Sequence, residues 1–61
     1  MGYEVGKRFF DAFNCRYITI KERCTGSVYL CKVREMGMDG EFHGKGTSLF
    51  TKVELQHFTE L

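Results

Sequence analysis

The chain has 61 residues, 43% of them hydrophobic and 28% charged, with a net charge of +1. A domain of this size buries only about 60% of the surface its unfolded chain exposes, which excludes a multidomain design and a lidded enzyme with a deep pocket. The composition is globular rather than disordered, and six Phe and three Tyr supply large buried areas to one small core, expected to span residues 1–61.

The opening run Met1-Gly2-Tyr3-Glu4-Val5-Gly6 has no apolar stretch resembling a signal peptide, and Gly6 stands where myristoylation wants Ser or Thr. No segment approaches the roughly 18 apolar residues of a membrane span, so a cytoplasmic protein is expected. The three cysteines, Cys15, Cys24 and Cys31, are odd in number and read as free thiols. A zinc set completed by His43 or His57 lacks the short chelating pairs of structural sites, so no metal or other cofactor is expected.

In chain order, Tyr3 to Phe10 reads as a strand with Val5 and Phe9 on one side, followed by a loop from Asp11 to Cys15 anchored by Phe13. Tyr17-Ile18-Thr19-Ile20-Lys21-Glu22-Arg23 and Val28-Tyr29-Leu30-Cys31-Lys32-Val33-Arg34 alternate around the turn-like Cys24-Thr25-Gly26-Ser27, which predicts a β-hairpin. Gly37-Met38-Asp39-Gly40 is a second turn, and Glu41 to Thr51 a strand in which Gly44 and Gly46 mark a bulge or bend. In the tail, Thr51 and Glu54 match a capping box and Leu55 and Phe58 lie one helical turn apart. A helix and a single helical turn at 52–55 with a short strand at 56–60 both fit; the second is preferred.

The succession Gly6-x-x-Phe9, an Ile-rich strand, Val28-Tyr29-Leu30-Cys31, a Gly turn and Thr47-x-x-Phe50-x-x-x-Glu54-Leu55-x-x-Phe58 resembles small SH3-like β-barrel proteins of the short bacterial and bacteriophage type. The resemblance implies an all-β, five-stranded, bent barrel with a short helical turn near the C-terminus, serving as a protein-binding or nucleic-acid-binding module. The Ala-Leu-Tyr-Asp-Tyr signature of eukaryotic SH3 domains is absent, so proline-rich ligands are not implied.

Hairpin parity sharpens the picture. With Arg23 opposite Val28, Ile20 pairs with Cys31 and Ile18 with Val33, placing Ile18, Ile20, Tyr29, Cys31 and Val33 on one apolar face. The other face carries Tyr17, Thr19, Lys21, Arg23, Leu30, Lys32 and Arg34, and burying its four cations would be prohibitive. That basic platform with an aromatic edge suits phosphate, a stacked base or an acidic protein surface. The plain alternative is a solvated sheet face whose cations deter edge aggregation. Charge is also uneven along the chain: seven Lys/Arg against three Asp/Glu in residues 1–34, and two against five in residues 35–61.

Gly44-Lys45-Gly46-Thr47-Ser48 fails as a nucleotide-phosphate loop, because Asp39 stands where the first Gly belongs and Gly46 where Ser or Thr should follow the Lys. His43 and His57 form no legible pair with a cysteine, and no enzyme is expected. Met36 and Met38, near Phe42, form an adaptable contact loop for a protein partner, or alternatively fold back over the core. The leading expectation is therefore a non-enzymatic protein-binding module that modulates or inhibits a larger partner, of the phage-encoded, host-interacting kind. The runner-up is a nucleic-acid-binding module using the Tyr17 face. The chain would work as a monomer or as a homodimer through exposed strand edges.

Overall fold

The computed structural model describes residues 3–61. Five antiparallel strands form a single sheet: β1 (Arg8–Asp11), β2 (Arg16–Arg23), β3 (Val28–Met36), β4 (Phe42–Thr51) and, after helix α1 (Lys52–Gln56), β5 (Thr59–Glu60). Their order is β4-β3-β2-β1-β5, so the first four strands run as a meander and β5 returns to flank β1. The chain is thus mainly β with one short helix. Among the described residues no helix is long and apolar enough to cross a membrane.

The β2–β3 hairpin follows the alternation of its residues. Ile18 pairs with Val33 and Ile20 with Cys31, and the five residues assigned to the apolar face are all buried. Phe9, Phe50 and Leu55 complete the core, with Tyr3 and Phe58 packed at its margin. The Phe50 and Phe58 rings meet edge-on at 5.9 Å, and α1 drops Leu55 onto this face. The capping box starts the helix as expected: Thr51 Oγ1 accepts from the Glu54 amide at 3.2 Å, and Glu54 Oε1 accepts from the Thr51 amide at 2.9 Å.

The structure corrects the expected barrel. Its sheet is open, with β4 and β5 as the two edges and α1 between them in sequence. A two-residue β5 pairs with β1 through Phe9↔Glu60 and Phe10↔Thr59 and is too short to bridge back to β4. The molecule is accordingly elongated, 37 × 19 × 15 Å.

Two segments near the start also differ from expectation. The first strand begins at Arg8, because a turn at 4–7, with Gly6 at φ +92°, folds Tyr3 back onto the core. There the Tyr3 amide donates to Tyr29 Oη at 3.0 Å and its ring meets Phe9 edge-on at 5.0 Å, while Val5 is left exposed. Phe13 does not anchor the β1–β2 loop either; it is 97% exposed.

The anchor is Asp11, 3% exposed. Its carboxylate accepts from the Phe13 and Asn14 amides, from Asn14 Nδ2 at 2.8 Å and from Arg16 Nε at 2.9 Å. Burial by itself would raise this carboxyl, but the Asn14 and Arg16 hydrogen bonds outweigh it and hold the group below its ordinary value. The Arg16 guanidinium in turn lies 5.3 Å from the Phe50 ring and 5.9 Å from Phe58, closing the polar end of the core.

Candidate outer-face binding site

Cross-strand partners share a face, so the register lays out the surface opposite the core in rows. One row runs Thr59, Phe10, Tyr17, Arg34, Gly44 across β5, β1, β2, β3 and β4; the next runs Arg8, Thr19, Lys32, Thr47. Phe42, paired with Met36, stands diagonally beside Tyr17. The Tyr17 ring is the hub: its centroid is 4.9 Å from Phe10 and 4.7 Å from Phe42, and the Arg8 guanidinium lies 5.7 Å above it. Arg34 Nη2 donates to the Phe42 carbonyl at 3.4 Å, tying the cation to the same cluster. Arg8, Tyr17, Thr19, Arg34 and Phe42 line a shallow cavity of about 520 Å³.

Of the residues singled out by sequence, the structure gathers Tyr17, Lys32, Arg34 and Phe42 on this face. It also joins two sets expected apart, since Phe42 belongs to the Met36/Met38 segment and yet packs on Tyr17. Met36 sits at the rim through its pairing with Phe42, and Met38 projects fully exposed from the β3–β4 turn. Neither methionine folds back over the core.

Arg23 is a correction. A bulge at Lys21 shifts the pairing from Ile20↔Cys31 to Glu22↔Leu30 and Arg23↔Tyr29, not Arg23↔Val28. Beyond the bulge the faces exchange, so Glu22 takes the outward place. Arg23 moves to the Tyr29 side, near Tyr3, Glu4 and Val5. Lys21 is the unpaired, exposed bulge residue.

The sequence offered Arg8, with Lys7 and Arg16, as an extension of the basic face without placing it, and did not single out Phe10. The place of Arg8 and Phe10 on this face depends on the β1–β2 register, which the run Arg8-Phe9-Phe10-Asp11 does not itself set. The neighbouring pair of phenylalanines serves both faces, Phe9 in the core and Phe10 beside Tyr17.

Electrostatically the face is one-signed over its middle. The ion pairs Lys7–Glu60, Arg16–Asp11 and His43–Asp39 lie away from the middle of the face and engage none of Arg8, Lys32 and Arg34. The outward carboxylate of β2, Glu22, lies beyond the bulge beside Leu30 and Leu49.

The β3–β4 turn holds a separate polar cluster. Asp39, Glu41 and His43 bring their ligand atoms within 4.8 Å of one another, a donor set suited in type to a cation. The Asp39 and His43 ligand atoms already serve the turn: His43 Nε2 lies 2.9 Å and 3.1 Å from the two Asp39 carboxylate oxygens, and the Glu41 backbone amide donates to Asp39 Oδ1 at 3.0 Å. The Glu41 amide and His43 hold the Asp39 carboxyl below its ordinary value. The clip closes over Gly37, where an added Cβ would lie 2.8 Å from both Asp39 Oδ1 and the His43 ring.

All three cysteines are free, Cys31 buried, Cys24 exposed and Cys15 between them. Burial, with a smaller contribution from Cys24, pushes the Cys31 thiol up to about 11, so it stays protonated and inert. No protein family, no curated protein and no solved structure matches this chain.

Proposed function

We propose that this chain is a non-enzymatic binding module that takes single-stranded nucleic acid on its outer sheet face. The observation that carries the reading is the Phe10–Tyr17–Phe42 cluster, on a face whose cations Arg8, Lys32 and Arg34 have no carboxylate partner among the described residues. Aromatic side chains on a sheet offer π-surfaces to unstacked bases, each stacked base contributing about 1–3 kcal/mol, while the cations follow the backbone. Tyr17 lies outside the core, which is built behind it on Ile18 and Ile20.

The finer architecture we propose is that of a small SH3-like barrel left open at one seam. What supports it is the flanking of β1 by β2 and β5 together with the one-turn helix between β4 and β5. Three free thiols suit a reducing compartment such as the cytoplasm.

A second reading, a protein-binding module of the phage-encoded kind that modulates a larger partner, draws on the full exposure of Met38 beside Met36 at the tip of the β3–β4 hairpin. Salt separates the two. Fluorescence anisotropy with a labelled 12-nucleotide oligo(dT) should show binding whose logarithm falls with log salt at a slope of about −2, as three cations on a single strand require. Tyr17→Ala should weaken it about tenfold with the slope unchanged. Absence of oligonucleotide binding at low salt would overturn the proposal. Salt-insensitive capture of a protein, lost on Met38→Asp, would favour the second reading.

A further inference from the structure

The geometry points to a phosphate-holding subsite on the outer face, between Lys32 and Arg34 at the β4 bulge, which takes a backbone phosphodiester of the strand whose base stacks on Tyr17. This inference rests on the nucleic-acid reading above and specifies where the charge of that ligand sits.

The pairing of β3 with β4 jumps from Lys32↔Thr47 to Arg34↔Gly44, so Lys45 and Gly46 together oppose Val33. Gly46 takes φ +77°, a left-handed backbone that favours glycine. The two rows on either side of the bulge then frame a cavity of about 440 Å³ whose lining is largely apolar, with its polar groups supplied by Thr19, Lys32, Arg34 and Thr47. Gly44, directly across from Arg34, is one of its lining residues, and a Cβ there would meet nothing within 4 Å.

The donors around this space match an oxyanion. Lys32 contributes an ammonium, and Thr19 and Thr47 contribute hydroxyls from the same cross-strand row. The Arg34 guanidinium spends one N–H on the Phe42 carbonyl and has others to offer an anion, and Arg34 lines the cavity. Neither cation has a carboxylate partner among the described residues. Tyr17 is the direct cross-strand partner of Arg34, so a base on the ring and a phosphate in the cavity belong to adjacent parts of one strand. The Gly44-Lys45-Gly46-Thr47 run thus fails as a nucleotide-binding loop before a helix, yet lines this cavity from inside a strand.

Gly44→Val tests the site, because it adds a branched side chain to the lining of the cavity without straining the fold. Gly44 lies in β4 outside the left-handed region, and a β-branched residue suits a strand. With the labelled 12-nucleotide oligo(dT), Gly44→Val should bind about tenfold more weakly than the unaltered chain. Its salt slope should be shallower by about 0.7, one phosphate contact fewer. Circular dichroism and the thermal midpoint should be unchanged. Lys32→Gln should give the same loss of slope and serves if Gly44→Val does not fold. Tyr17→Ala, by contrast, should lose affinity at constant slope. If the unaltered chain binds the oligonucleotide but Gly44→Val or Lys32→Gln folds and retains its affinity and slope, the subsite is overturned while the face reading stands. If the unaltered chain does not bind, both fall.

Discussion

Removing the Asp11 carboxylate strips Arg16 of its partner at the edge of the core and leaves the Phe13 and Asn14 amides without their acceptor. Breaking one side of a buried ion pair is costly, and because Arg16 keeps some solvent contact the lower end of that range applies. Asp11→Ala should therefore lose about 3 kcal/mol in a urea melt. The same carboxyl sets the sign of the acid response. Its native pKa lies below its unfolded value, so its contribution is fully present above about pH 4 and is lost as pH falls through the native value. Asp39 shifts in the same direction, so Asp11→Asn should flatten, not abolish, the acid limb of stability against pH. On the far side of the core, Tyr29→Phe removes the acceptor of the Tyr3 amide and should cost about 1 kcal/mol. The Asp11 network was not legible in the sequence. Asp11, Asn14 and Arg16 are ordinary loop and strand residues until the turn, with Cys15 at φ 50°, brings their side chains together.

At the scale of elements, legibility followed alternation. Ile18, Ile20, Cys31 and Val33 alternate with polar neighbours, which determined their face and register before any coordinates. Lys21-Glu22-Arg23 is charged at every position, so nothing in it marks where parity changes, and the bulge that turns Arg23 to the other face was invisible. Gly44 and Gly46 did signal an irregularity in β4, but only the structure separates their roles. Gly46→Ala should destabilise by about 1–2 kcal/mol, because its φ of +77° penalises a Cβ. The capping box was readable from Thr51 and Glu54 alone, and Thr51→Ala should cost about 1 kcal/mol, measurable as a lowered thermal midpoint.

Taken whole, the molecule buries its core on one side of a single sheet and carries a half-buried aromatic cluster with exposed cations on the other. A chain of 61 residues has few apolar side chains to spare, yet Phe10, Tyr17 and Phe42 are grouped on the outer face. The sequence placed Tyr17, Lys32 and Arg34 there through hairpin parity. It did not place Phe42, Phe10 or Arg8, whose positions depend on pairings across the β3–β4 turn and the β1–β2 loop. It also did not reveal that the sheet stays open, since closure depends on how far β5 extends, a matter of two residues. The most direct test of the outer face is a titration of the ¹⁵N-labelled chain with an unlabelled 12-nucleotide oligo(dT), followed by amide chemical shifts. The largest shifts should fall on Arg8, Tyr17, Thr19, Lys32, Arg34, Phe42 and Gly44, with the amides of α1 and the Cys24–Ser27 turn unmoved. Shifts confined to the Met38 turn or to α1, or no shifts at all at low salt, would contradict binding on the outer face.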